Sequence, residues 1–97
     1  MTGGTPVRVV IAYDIARDRH RQKVADIFQA VLDRVQLSVF EGDVPEEVLE
    51  KSIRRALQHL DAETDSLRVY HLCGACAPRV DVYGRSLLRD RGAVRIL

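Results

Sequence analysis

The segment VRVVIAY, Val7 to Tyr13, constrains this chain more than any other. It is rich in β-branched residues and apolar at successive positions apart from Arg8. Both faces of an extended strand would then be apolar, as in a central strand buried on both sides. The run ends abruptly at Asp14, and Arg17, Arg19, Arg21 and Lys23 follow with one intervening acid, Asp18. A lone carboxylate at the tip of the most apolar strand, beside concentrated positive charge, poses the functional question.

The remaining elements follow from periodicity and punctuation. Val24, Ile27, Phe28, Val31 and Leu32 fall at helical spacing and predict a helix over His20–Asp33. VQLSVF, Val35 to Phe40, reads as a second strand, with Val35, Leu37 and Val39 on one face. Gly42 and Pro45 punctuate the chain, and Asp43 with Glu46 resembles a capping pair for a second helix. Leu49, Ile53, Ala56, Leu57 and Leu60 supply the apolar stripe of that helix. Leu67–Leu72 reads as a third strand, Val80–Tyr83 as a fourth, and Ala93–Leu97 as a last apolar strand that a second copy of the chain would cover. Two helices and four strands with an extra C-terminal strand fit an α+β, ferredoxin-like βαββαβ sandwich. That fold hosts many functions and decides none of them.

The 97 residues suit a single domain, with the first six flexible. A core this small gains from dimerisation. Net charge is only +1, but it is unevenly spread. Glu41, Asp43, Glu46, Glu47 and Glu50 form an acidic run, and Arg85, Arg89, Arg91 and Arg95 a basic one. One face would suit an anion and another a basic partner. No apolar run approaches the roughly 20 residues that span a bilayer, and MTGGTP is no secretory signal. No membrane partner is expected. Cys73 and Cys76 are expected as reduced thiols in a cytoplasmic protein.

Several motifs occur in a specific order: YDI (Tyr13–Ile15), RQKVA (Arg21–Ala25), DRVQLSVFEG (Asp33–Gly42), DSLRVYHLC (Asp65–Cys73), then Gly84 after the fourth strand. This succession resembles the Cas-two (Cas2) family, small CRISPR-associated proteins of the spacer-acquisition machinery. It covers the chain from Val7 to about Leu97. One departure is Leu32, where many members have Gly before the xRVQ run. The resemblance implies a homodimer in which Asp14 binds a divalent metal, Mg²⁺ or alternatively Mn²⁺. It implies metal-dependent nuclease activity on RNA or DNA. It also implies partnership with the CRISPR integrase, whose two dimers such a dimer bridges along DNA, a role that some systems fulfil without cutting.

Each candidate residue has an ordinary alternative. Asp14 at a strand end is often a turn former or helix cap. In a twofold dimer, however, a residue near the axis meets its own copy. Two facing carboxylates repel unless a proton or cation lies between them. Mg²⁺ needs only one or two carboxylates. Arg17, Arg19 and Arg21 are either a solvated helix start or phosphate contacts, and Arg17 and Arg21, one turn apart, would share a face if both are helical. Arg34 and Phe40 coincide with family positions linked to activity, and plain packing is the alternative for Phe40. Tyr13 is a candidate catalytic or supporting residue beside Asp14, and His20 a possible proton-transfer assistant. CGAC (Cys73–Cys76) is half of a zinc motif, with His71 its only obvious neighbour, and a turn with two buried thiols is preferred.

Overall fold

The computed structural model describes residues 6–72 and 79–84. Its elements are β1 Pro6–Asp14, α1 Asp18–Gln29, β2 Asp33–Gln36, β3 Val39–Pro45, α2 Glu46–Leu57, β4 Ser66–Leu72 and β5 Arg79–Gly84. The strands form one sheet in the order β2-β3-β1-β4-β5, with every neighbouring pair antiparallel. The first six elements are the ferredoxin-like βαββαβ unit, and β5 extends the edge beside β4. The expected strand at Ala93–Leu97 lies outside the described residues.

Period-2 alternation sorts the sheet into two faces. Val9, Ile11 and Tyr13 of β1 join Phe40 and Val44 of β3 and Leu67 and Val69 of β4 in the core. The helices cover this face with Val24, Ala25 and Phe28 of α1 and with Leu49, Ile53 and Ala56 of α2. Phe40 is fully buried, between the rings of Tyr13 and Phe28 at centroid distances of 6.2 and 6.3 Å. Among the described residues nothing forms a layer over the opposite face. There Val10, Ala12, Val39, Tyr70, Val80 and Val82 are half-buried, and Leu72 is 46% exposed. β1 is therefore central, as its composition requires, and the described residues cover it on one side.

Three local expectations are corrected. The VQLSVF segment is a hairpin rather than one strand: β2 turns at Leu37 and Ser38, and Gln36 pairs with Val39. The alternation there is imperfect because the chain reverses, with a register shift between Arg34 and Gln36. Helix α1 stops at Gln29, four residues before Asp33. Val31 and Leu32 leave it through amide bonds to the Phe28 carbonyl at 3.0 and 2.8 Å, and Leu32 is buried. Its side chain fills the space beside Gly42, where an added Cβ would stand 3.3 Å from Leu32 Cδ2. Finally, Asp43 does not cap α2. Pro45 is the N-cap with no side-chain cap bond, and both Gly42 and Pro45 lie within β3. Asp43 instead pairs with Arg8 at 3.0 Å across the β1–β3 ladder.

The acidic run is largely used within the fold. Arg8 also lies 3.8 Å from Glu41, while Glu46 and Glu47 occupy the first turn of α2 and Arg54 and Arg55 its last. Both placements favour the helix dipole. At the far end of β5, Gly84 has φ +83°, and a Cβ there would lie 2.4 Å from the Asp65 carbonyl oxygen. We expect Gly84→Ala to destabilise by about 1–3 kcal/mol from backbone strain and overlap, lowering the midpoint by roughly 4–8 °C per kcal/mol. Calorimetry checks this, and an unchanged midpoint would show that β5 is not held against Asp65.

Candidate functional site

Asp14 is the exposed last residue of β1, paired with Ser66 of β4. Alternation turns Tyr13 into the core and Asp14 toward the open face. Standing at the strand end, Asp14 borders both. On the helix side it lines a cleft of about 580 Å³ with Tyr13, Asp18, Arg21, Arg34 and Ser38. On the open side it lines a hollow of about 220 Å³ with Ala12, Ser66, Arg68 and Tyr70.

Two of the expected cations reach the cleft. Arg21 donates through Nη1 to the Ile15 carbonyl at 2.9 Å, and its Nη2 contacts Asp18. Arg34 donates through Nε and Nη2 to the Leu37 carbonyl at 3.2 and 2.7 Å, with its guanidinium carbon 5.5 Å from the Phe40 ring centroid. An arginine carries five N–H donors in a planar fork, so each keeps donors for an anion in the cleft. Arg17 and Arg19 are exposed and do not line it. Arg17 is the extended N-cap of α1, at φ −92° and ψ 130°, so it does not share a helical face with Arg21. Lys23 faces a separate groove with Arg55, Gln58 and His59. His20 lies with its ring 6.5 Å from His59 and is not a cleft residue.

Tyr13 is 6% exposed, and its hydroxyl has no hydrogen-bond partner among the described residues. Burial raises its pKa, and the nearby Arg34 and Arg21 charges only partly oppose this. The phenol therefore stays protonated at neutral pH and suits donation, not base chemistry. Phe40 supports the site from beneath, through the Tyr13 ring and the Arg34 guanidinium.

Two residues escaped the sequence reading. Asp65, only 1% exposed, accepts the Ala16 amide at 3.0 Å and the Thr64 hydroxyl at 3.1 Å on Oδ1, and the Asp61 amide at 2.9 Å on Oδ2. Arg68 lies on the open face beside Asp14. Alternation through DSLRVY was the available signal for Arg68, since it puts Ser66, Arg68 and Tyr70 on one side. A loop aspartate gave no signal of burial.

Among the described residues no group of three or more His, Cys, Asp or Glu side chains could hold a metal. Asp14 offers exposed carboxylate oxygens without a hydrogen-bond partner among them, a donor type that suits a hard cation with several waters. Among the described residues a single chain would supply one such ligand, and a second Asp14 would come only from a second copy. Cys73 and Cys76 lie outside the described residues. His71, their expected neighbour, contacts Asp81 through Nε2 at 2.8 Å.

Comparison with known proteins decides the family. The model of the CRISPR-associated protein Cas2 family matches residues 7–80. The chain belongs to the Cas2 family. A Synechocystis protein named CRISPR-associated endoribonuclease Cas2 3 is 41% identical over 86 residues, covering 88% of this chain and 94% of its own. A Thermus thermophilus protein named CRISPR-associated endonuclease Cas2 2 is 40% identical over 87 residues, covering 90% and 92%. Among solved structures, Streptococcus pyogenes Cas2 superposes with a TM-score of 0.63 at 30% identity, covering 70% of this chain and 88% of that one. The family expected from YDI, DRVQLSVFEG and DSLRVYHLC, and its fold, are thereby established. No helix among the described residues is long and apolar enough to cross a membrane.

The Asp65 contacts predict a specific acid response. Burial works to raise its pKa, but the Ala16 and Asp61 amides, the Thr64 hydroxyl and the His20 charge outweigh it and hold the carboxyl below its usual range. A depressed folded pKa contributes stability that is fully present above the unfolded value of about 3.9 and lost as pH falls through the folded value. Denaturant midpoints measured from about pH 5 downward should therefore fall less steeply below about pH 4 in Asp65→Asn than in the wild type. Equal slopes would show that Asp65 is not ionised in the fold.

Proposed function

We propose that this protein acts in CRISPR adaptation as a homodimeric, Mg²⁺-dependent endonuclease on nucleic-acid phosphodiesters. The observation that carries the reading is Asp14, an exposed carboxylate at the rim of a cleft that also holds Arg21 and Arg34. The relatives named endoribonuclease and endonuclease support it. RNA and DNA backbones offer the same phosphate to these groups.

The proposed dimer rests on the sheet face that no described element covers, where Tyr70, Val80 and Val82 continue an apolar strip from Val10 and Ala12. A second copy on this face would give β1 the second cover its composition calls for. It would also bring two Asp14 side chains toward one axis. Bound Mg²⁺ supplies charge neutralisation and a water of lowered pKa. The chain's own groups do the rest. Asp14 holds the cation, Arg21 and Arg34 orient the phosphate, and the neutral Tyr13 is available to donate a proton or hydrogen bond from below. Arg17 and Arg19, outside the cleft, would extend the path of the backbone over the start of α1.

A second reading is a non-catalytic clamp that bridges CRISPR integrase dimers on DNA. It is favoured by the absence, among the described residues, of a cluster of carboxylates that could hold a metal in one chain. The two readings separate on Asp14. Asp14→Asn preserves shape and should reduce Mg²⁺-dependent cleavage by more than about 100-fold, beyond the cost of losing an outer-shell partner. Dimerisation and nucleic-acid affinity should persist. Equal cleavage by both proteins would remove Asp14 from catalysis, and a wild type that binds nucleic acid without cutting across a pH series would favour the clamp. Arg34→Ala should weaken binding to all sequences and reduce the salt slope by about one unit. Unchanged affinity and slope would take the cleft out of the binding path.

A further inference from the structure

The Ile15–Ala16 peptide is held at both ends by opposite charges. Its carbonyl accepts from the Arg21 guanidinium at 2.9 Å, and its N–H donates to the Asp65 carboxylate at 3.0 Å. These two groups belong to one planar unit. The anion faces the positive end of the peptide dipole and the cation the negative end, so each contact strengthens the other. This peptide begins one residue after Asp14. On its other side Asp14 is laddered to Ser66, whose preceding residue is Asp65 itself.

We propose that Asp65 is a positioning residue for Asp14, acting with Arg21 through the clamped Ile15–Ala16 peptide. The proposal rests on the reading of Asp14 as the functional carboxylate. The burial of Asp65 supports it. A carboxylate removed from water is costly unless several donors meet it. Here three do, and two of them, Asp61 and Thr64, lie in the loop that leads into β4. The third reaches across the fold to the residue after Ile15, which is itself 2% exposed. A loop needing only closure is served by an exposed Asn or Ser. A buried charge aimed at one amide fixes the course of the chain where β1 leaves the sheet. Asp14 keeps its side-chain torsions but loses the backbone freedom that a strand end normally has. Arg21 is accordingly part of the clamp as well as of the cleft wall.

The test uses the full-length protein and three variants. Asp65→Asn keeps the shape but places an amide N–H₂ against either the Ala16 or the Asp61 N–H. Arg21→Ala frees the carbonyl end of the same peptide. Thr64→Ala removes a donor to Asp65 without touching the clamped peptide. Amide relaxation at Asp14, Ile15 and Ala16 is read by NMR well below each melting midpoint. Order parameters near 0.85 in the wild type should fall below about 0.6 in Asp65→Asn and Arg21→Ala, and stay high in Thr64→Ala. In parallel, kcat for cleavage should fall by about 10–100-fold in Asp65→Asn with KM little changed, as expected for a displaced reactive group. Should Asp65→Asn fail to fold, Arg21→Ala carries the order-parameter test alone. Unchanged order at Asp14 in a folded clamp variant overturns the proposal, as does equal loss of order in Thr64→Ala. A wild type that shows no cleavage overturns the catalytic reading of Asp14, and the order parameters still judge the clamp.

Discussion

Everything in this fold hangs on the two-sidedness of β1. The strand lies at the centre of the sheet, and its ladders to β3 and β4 run nearly its whole length. One set of alternate residues, Val9, Ile11 and Tyr13, ties both helices to the sheet. The other set, Arg8, Val10, Ala12 and Asp14, faces the side that neither α1 nor α2 covers. Asp14 is therefore carried by the central strand of the sheet, laddered to β4, yet it stands where that strand meets water. Rigid support under an exposed charged group is what a preorganised site requires.

The charges follow the same division. On the open face Arg8 is answered by Glu41 and Asp43, both exposed enough that these pairs contribute at most about 1 kcal/mol each. Their value lies in register, since Asp43 sits directly opposite Arg8 across the β1–β3 ladder and Glu41 diagonally, opposite Val10. On the helix side the cations of α1 disperse. Arg21 turns back to the strand end, Lys23 turns to α2, and Arg17 and Arg19 remain in solvent. Cations at a helix start oppose the dipole. Arg21 offsets that cost with a carbonyl and the Asp18 carboxylate, whereas the side chains of Arg17, Arg19 and Lys23 make no ion pair or hydrogen bond among the described residues.

The layered architecture was legible in the sequence because burial writes periodicity. Val24, Phe28, Leu49, Ile53 and Ala56 all occupy the core that their spacing predicts. The β2–β3 hairpin was not legible, because its turn lacks the usual signals. Leu37 and Ser38 stand where Asn-Gly or Asp-Gly would announce a two-residue reversal, and Leu37 is 84% exposed there. An apolar residue at a hairpin tip reads as strand interior. Of the candidate site, Asp14, Tyr13, Arg21, Arg34 and Phe40 do converge. Arg17 does not, since it precedes α1, which begins at Asp18, and Arg19 does not, since it stands two residues from Arg21 on the helix and residues two apart do not share a face. Asp65 stayed hidden for a different reason. Its burial comes from contacts with Ala16, far along the chain, and no local pattern encodes a partner 49 residues away.

A site with one carboxylate per chain gains from symmetry in a way that larger active sites do not. A small domain has little sheet with which to support several inward-pointing acids, and each additional buried charge weakens a marginal core. An exposed acid at the end of the central strand avoids that cost, because water solvates it in the single chain. Association on the open face would then confront two such acids and exclude part of their water. Their mutual repulsion would oppose the dimer until a cation relieved it. Metal binding and dimer stability would thus be thermodynamically linked, each favouring the other by the same factor. Linkage of this kind also reconciles the nuclease and clamp readings. In the proposed dimer the apolar strip of Val10, Ala12, Tyr70 and Val82 would hold two copies together, and a metal would add stability only when the two Asp14 residues draw close. A dimer of the same outline can then either cut or only hold nucleic acid, according to that single separation.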